Sequence, residues 1–94
     1  MKLWLISQSQ VDGYDTYDSA VVAAETEDGA RRTDPGGYHE WDDKDGCWRY
    51  NYGKKEADDS SCWARDISAV KVELIGDAAP DVKAGVIVAS FNAG

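Results

Sequence analysis

Ninety-four residues with a mass of 10.3 kDa suffice for one modest core and leave no room for a second domain. A 43% hydrophobic and 11% aromatic content argues against wholesale disorder, while 18 acids against 10 bases set the net charge at −8 and the pI near 4.4. No run approaches the roughly 18 apolar residues that cross a bilayer, and the apolar run at residues 3–6 is too short for a signal-peptide core, so a cytoplasmic protein is expected.

Residues 2–8 (KLWLISQ) read as a strand, with Trp4 and Ile6 on one face and Leu3, Leu5 and Ser7 on the other. A polar turn region follows at residues 11–15. Residues 17–25 carry the apolar run Ala20-Val21-Val22-Ala23-Ala24, short enough for a buried strand. A separate short helix then begins at Thr26, which can cap it, with Glu27 and Asp28 on the positive end of its dipole. Arg31 and Arg32 fall in its last turn, and Asp34-Pro35-Gly36-Gly37 stops it.

From residue 36 to about 66 regularity is lost, and an irregular, aromatic-rich and acidic insertion is expected, with a short strand at residues 48–52. Residues 67–75 (ISAVKVELI) alternate, placing Val70, Val72 and Leu74 on one face and Lys71 and Glu73 on the other. Residues 85–92 (GVIVASFN) form a nearly all-apolar strand, and about ten polar residues between the two suggest an antiparallel hairpin. Val70, Val72, Leu74, Val86 and Val88 are expected to be buried in one sheet, with Trp63 and Phe91 as core anchors. The expected class is α+β: a single domain over residues 1–94, with one antiparallel sheet of four to five strands and one short helix on one face.

The acidity is local. Residues 12–45 hold eleven acids and three bases, Arg31, Arg32 and Lys44, so this segment carries the entire −8, and the rest of the chain balances seven acids with seven bases. Such a segment repels nucleic acid and anionic membrane alike, and attracts basic surfaces. The competing reading is that the acidity only keeps a small protein in solution.

Catalytic and metal-binding patterns are weak. Cys47 and Cys62 could close a loop worth on the order of 3 kcal/mol in an oxidising compartment. Without an export signal they are read as reduced, and their pairing stays open. His39 with these two cysteines matches no zinc spacing. Asp43-Lys44-Asp45-Gly46 resembles part of a calcium loop, but that register puts Trp41 and Tyr52 at ligand positions, so an Asp-Gly turn is the better account. No nucleophile elbow or phosphate loop occurs, and adjacent acids such as Asp42-Asp43 have no evident pocket. Neither an enzyme nor a cofactor or metal is expected. Trp41 and Trp48, set among charges and glycines, are candidate binding anchors.

The opening MKLWLISQ, the stretch YDTYDSAVVAAETEDGARR, and the closing VKVELIGDA and GVIVASFNAG resemble a group of small proteins found in bacteriophages and prophages. The resemblance covers residues 1–35 and 67–94 and stops at the middle of the chain. By analogy with small acidic phage proteins that inhibit host defence, anti-CRISPR proteins among them, it implies an inhibitor in the host cytoplasm that mimics nucleic acid. Its partner would be a host protein with a basic nucleic-acid-binding surface, without direct contact to nucleic acid or membrane. The residues nominated for that contact are Asp12, Asp15, Asp18, Glu27, Asp28, Asp34, Glu40, Asp42, Asp43 and Asp45, with Trp41 and Trp48 as anchors. The alternative is a non-enzymatic structural or accessory phage protein acting through edge-strand or loop contacts with itself or another phage protein; a homodimer is left open.

Overall fold

In chain order the elements are β1 (Lys2–Ser7), β2 (Thr16–Ala24), helix α1 (Glu27–Arg31), β3 (His39–Asp42), β4 (Cys47–Tyr50), a short 3-10 turn (Ile67–Ala69), β5 (Lys71–Asp77) and β6 (Gly85–Asn92). They come from a computed structural model that describes residues 1–10, 16–37, 39–44, 46–50, 63–64 and 66–92. The class is α+β: a four-stranded antiparallel sheet in the order β5-β1-β2-β6, a two-stranded sheet β3-β4, and one short α-helix among the described residues.

Period-two alternation builds the first hairpin. Trp4 lies opposite Val22 and Ile6 opposite Ala20, so the large apolar side chains of both strands share one face and are buried there. Leu3, Leu5 and Val21 share the other face and are half-buried. The buried face meets a second layer made by α1, the β3-β4 hairpin and the segment around Trp63. Trp4, Trp48 and Trp63 fill this core against the small side chains Ala20, Ala24, Ala30 and Ala64. Small residues beside the large ones leave room for three indoles in one core. Trp4 Nε1 donates to the Ala24 carbonyl at 3.0 Å, and Trp48 Nε1 to the Ala64 carbonyl at 2.8 Å.

The helix is held by its ends. Thr26 Oγ1 accepts the Gly29 amide at 3.0 Å, and Thr33 Oγ1 donates to the Gly29 carbonyl at 3.0 Å. With five residues α1 cannot stand alone, and Ala30 is buried against the sheet.

Three expectations are corrected. First, β5 and β6 do not pair with each other: β5 flanks β1 and β6 flanks β2, on opposite edges of the sheet. The connector, residues 78–84, can cross because β5 and β6 are three strand spacings apart, about 14 Å. Seven extended residues reach about 23 Å. Second, the stretch after residue 36 is not wholly irregular, since β3 and β4 pair antiparallel within it. Gly46 makes their turn at φ 65, a left-handed value that glycine adopts without strain, and its amide bonds the Asp42 carbonyl at 2.8 Å.

Third, the core stops short of the sheet edges. Val70 is buried and Val72 is partly buried against the core, but Leu74 is 52% exposed, Val86 37% and Val88 59%. Trp63 is a core residue as expected, whereas Phe91 is 45% exposed and leans on Tyr17 with ring centroids 4.7 Å apart. Leu74 and Val86 lie on the core face beyond the reach of the covering layer, whereas Val88 lies opposite Val21 on the face away from the core.

Candidate partner-binding surface

Arg32, at the end of α1, gathers carboxylates that are far apart in the chain. Its Nε donates to Asp28 Oδ2 at 2.7 Å, and its Nη1 to Asp43 Oδ1 at 2.6 Å. The hydrogen bond that it donates to Asp43, and then that to Asp28, push the guanidinium pKa above its ordinary value. One cation thus clips the helix to the β3-β4 turn. Both carboxylates remain open to solvent, at 64% for Asp28 and 69% for Asp43. Glu27 is exposed on the same helix, and Glu40 is exposed on β3, where it bridges back to Thr33. Glu25, just before the cap, is exposed as well. Arg32 thus brings Asp28 and Asp43 together, and Glu27 and Glu40 are exposed on the elements that carry them, with Glu25 exposed just before α1.

Other nominated residues have structural roles. Asp34 is nearly buried: Oδ1 accepts the Gly36 amide at 3.2 Å, while Oδ2 accepts the His39 amide at 3.1 Å and faces His39 Nδ1 at 2.9 Å. It ties down the link between α1 and β3, and its carboxylate is not on offer. Asp42 is spent on its own hairpin, accepting Arg49 Nε at 2.5 Å through Oδ2 and the Lys44 amide at 2.9 Å through Oδ1. Asp18 is exposed but lies six strand residues from the helix end of β2, about 20 Å away. Asp12, Asp15 and Asp45 lie outside the described residues, as does Cys62 and with it the question of a Cys47–Cys62 bridge.

Of the two nominated tryptophans, one is buried. Trp48 is only 5% exposed and belongs to the core, because its ring packs edge-on against Trp41 at 5.3 Å and its indole N–H is taken by Ala64. Trp41 stays half-buried, directly opposite Trp48 in the β3-β4 register. Of the two, only Trp41 can contribute surface to a partner.

Comparison with known proteins adds nothing to this geometry. No protein-family model, curated protein or solved structure matches the chain.

A feature not anticipated from the sequence lies at the sheet edges. Leu74, Ile75, Val86, Ile87, Val88 and Phe91 are all exposed. The signal was present in GVIVASFN, a strand without a single charge, but such a run reads equally well as buried. Among the described residues no helix is long and apolar enough to cross a membrane, and no three His, Cys, Asp or Glu side chains come together as metal ligands.

Proposed function

We propose that this protein is a phage-derived, non-enzymatic inhibitor that occupies the basic nucleic-acid-binding surface of a host protein in the host cytoplasm, in the manner of an anti-CRISPR protein. The observation that carries the reading is the clip at Arg32, which sets Asp28 and Asp43 side by side on one face with Glu27 and Glu40 close by in the fold. Carboxylates in such an array can take the place of backbone phosphates against Lys and Arg side chains. The surface ion pairs to Arg32 contribute little by themselves. An incoming basic group can therefore exchange with Arg32 and keep both acids engaged. Trp41, half-buried on the strand that carries Glu40, would supply what apolar contact area the nominated tryptophans have to offer.

The test compares two triple variants that each remove three negative charges. Asp28→Asn, Glu40→Gln and Asp43→Asn alter the acidic face; Glu73→Gln, Asp77→Asn and Asp81→Asn alter the charge-balanced part of the chain. The first set should weaken capture of a nucleic-acid-binding host protein about 10–100-fold at low salt and flatten its salt dependence. The second should change it little. Equal effects from both sets would reduce the acidity to a solubility device and remove the reading.

A further inference from the structure

The two edges of the main sheet are built differently. Strand β5 carries Lys71, Glu73 and Asp77, charges of the kind that discourage another strand from pairing. Strand β6, eight residues long, carries none. Among the described residues β6 hydrogen-bonds only to β2, so its other side presents backbone N–H and C=O groups ready for a partner strand. Val86, Ile87, Val88 and Phe91 are between 37% and 59% exposed.

These side chains do not share one face. Val88 lies opposite Val21, on the face with Leu5, whereas Val86 lies opposite Val22 and Phe91 opposite Tyr17, on the face that packs against the core. The two register shifts between β2 and β6 produce this distribution. A partner laid over one face of the sheet would cover only part of the set. A strand added beside β6 would cover both parts and satisfy the backbone as well.

We infer that β6 pairs antiparallel with β6 of a second copy of this chain, giving a two-fold dimer with a continuous eight-stranded sheet. Every neighbour in the existing sheet is antiparallel, and a two-fold axis normal to the sheet imposes that relation on the new pair. Charge on β6 itself does not oppose the same occupant. The excess of −8 resides in residues 12–45, and with β6 uncharged, self-pairing brings no charged side chains of the two strands face to face. A basic partner would find nothing on β6 to neutralise. The four exposed side chains present roughly 400 Å² of apolar surface per copy. With the paired backbones, two copies reach the lower end of specific interfaces, about 1,200 Å² in total. The dimer would carry two acidic faces, one per copy.

Sedimentation equilibrium across a range of protein and salt concentrations tests this. The protein should sediment at twice 10.3 kDa at high concentration. Raising the salt should strengthen association, because it screens repulsion between two acidic copies. That response is opposite to the salt response of the proposed partner complex, so the two ideas fail separately. Val88→Lys, at a position already 59% exposed, should keep the circular dichroism spectrum and weaken the dimer at least tenfold. Leu74→Lys, at a position 52% exposed on the other edge, should leave dimerisation unchanged. A wild-type protein that stays monomeric at every concentration overturns the inference, and so does a dimer that Leu74→Lys dissociates and Val88→Lys does not.

Discussion

Replacing Trp48 by Ala separates a core residue from a surface anchor. The indole is 5% exposed, so truncation removes nearly all the 150–250 Å² that a large aromatic buries. At about 25 cal/mol per Å² this is roughly 4–6 kcal/mol, close to the 3–5 kcal/mol typical of Trp or Phe truncation in a core. Two further losses act in the same direction: the Ala64 carbonyl loses its donor, and Trp41 loses the ring it packs against. A 94-residue domain commands only about 5–14 kcal/mol in total. Each kcal/mol shifts Tm by about 4–8 °C at this size. Trp48→Ala should therefore lower Tm by ~15–30 °C or leave the chain unfolded at room temperature, as followed by circular dichroism. Trp48→Phe, which keeps a ring but not the N–H, should cost less, about 1–3 kcal/mol. A Trp48→Ala protein that melts within a few degrees of wild type would place Trp48 outside the core and restore it as a surface anchor.

Other changes should follow the same accounting. Leu74→Ala, at a half-exposed edge position, should cost under about 1 kcal/mol in urea unfolding, where a core leucine would cost 2–5 kcal/mol. Asp34→Ala strips acceptors from the Gly36 and His39 amides and should lower stability by about 1–3 kcal/mol, seen as a shifted urea midpoint at constant slope. Thr26→Ala removes the helix cap and should cost about 1 kcal/mol, with faster amide exchange at Gly29 than elsewhere in the core.

The parts of this fold that could be read from the sequence are those set by local rules. Alternation around Trp4 and Ile6 revealed β1 and its buried face, and Thr26 ahead of two acids revealed the start of α1. Strands β5 and β6 were also visible, yet their partners were not. Alternation says which residues share a face and is silent on which strand lies alongside. Both edges of the β1-β2 hairpin were free, and each later strand took one. Strand β3 was hidden because His39-Glu40-Trp41-Asp42 has little strand character of its own; it is held by the Trp41–Trp48 contact and by pairing with β4. The exposure of Leu74 and Val86 depends on the reach of the covering layer, and that of Val88 on a register shift that turns it to the face away from the core; no local pattern encodes either.

The acidic surface shows a similar division. Eleven acids in one segment are plain in the sequence, but the cations that claim them are not. Arg49 lies in the charge-balanced part of the chain and still takes Asp42, and Arg32 joins two acids fifteen residues apart. Asp34 acts as a buried acceptor for its own loop, so its acidity says nothing about a partner. Among the described residues, the pair Asp28 and Asp43 is organised around one arginine.

The proposed activity is most directly tested by competition on a captured host protein. The protein is immobilised, host lysate is passed over it at low salt, and the retained nucleic-acid-binding protein is challenged with its own DNA or RNA. If the carboxylates at Glu27, Asp28, Glu40 and Asp43 occupy the nucleic-acid groove, the nucleic acid should release the captured protein at concentrations near its own dissociation constant, and excess immobilised protein should block nucleic-acid binding. Retention that is indifferent to saturating nucleic acid, with a ternary complex forming instead, would contradict mimicry and place the contact away from the groove.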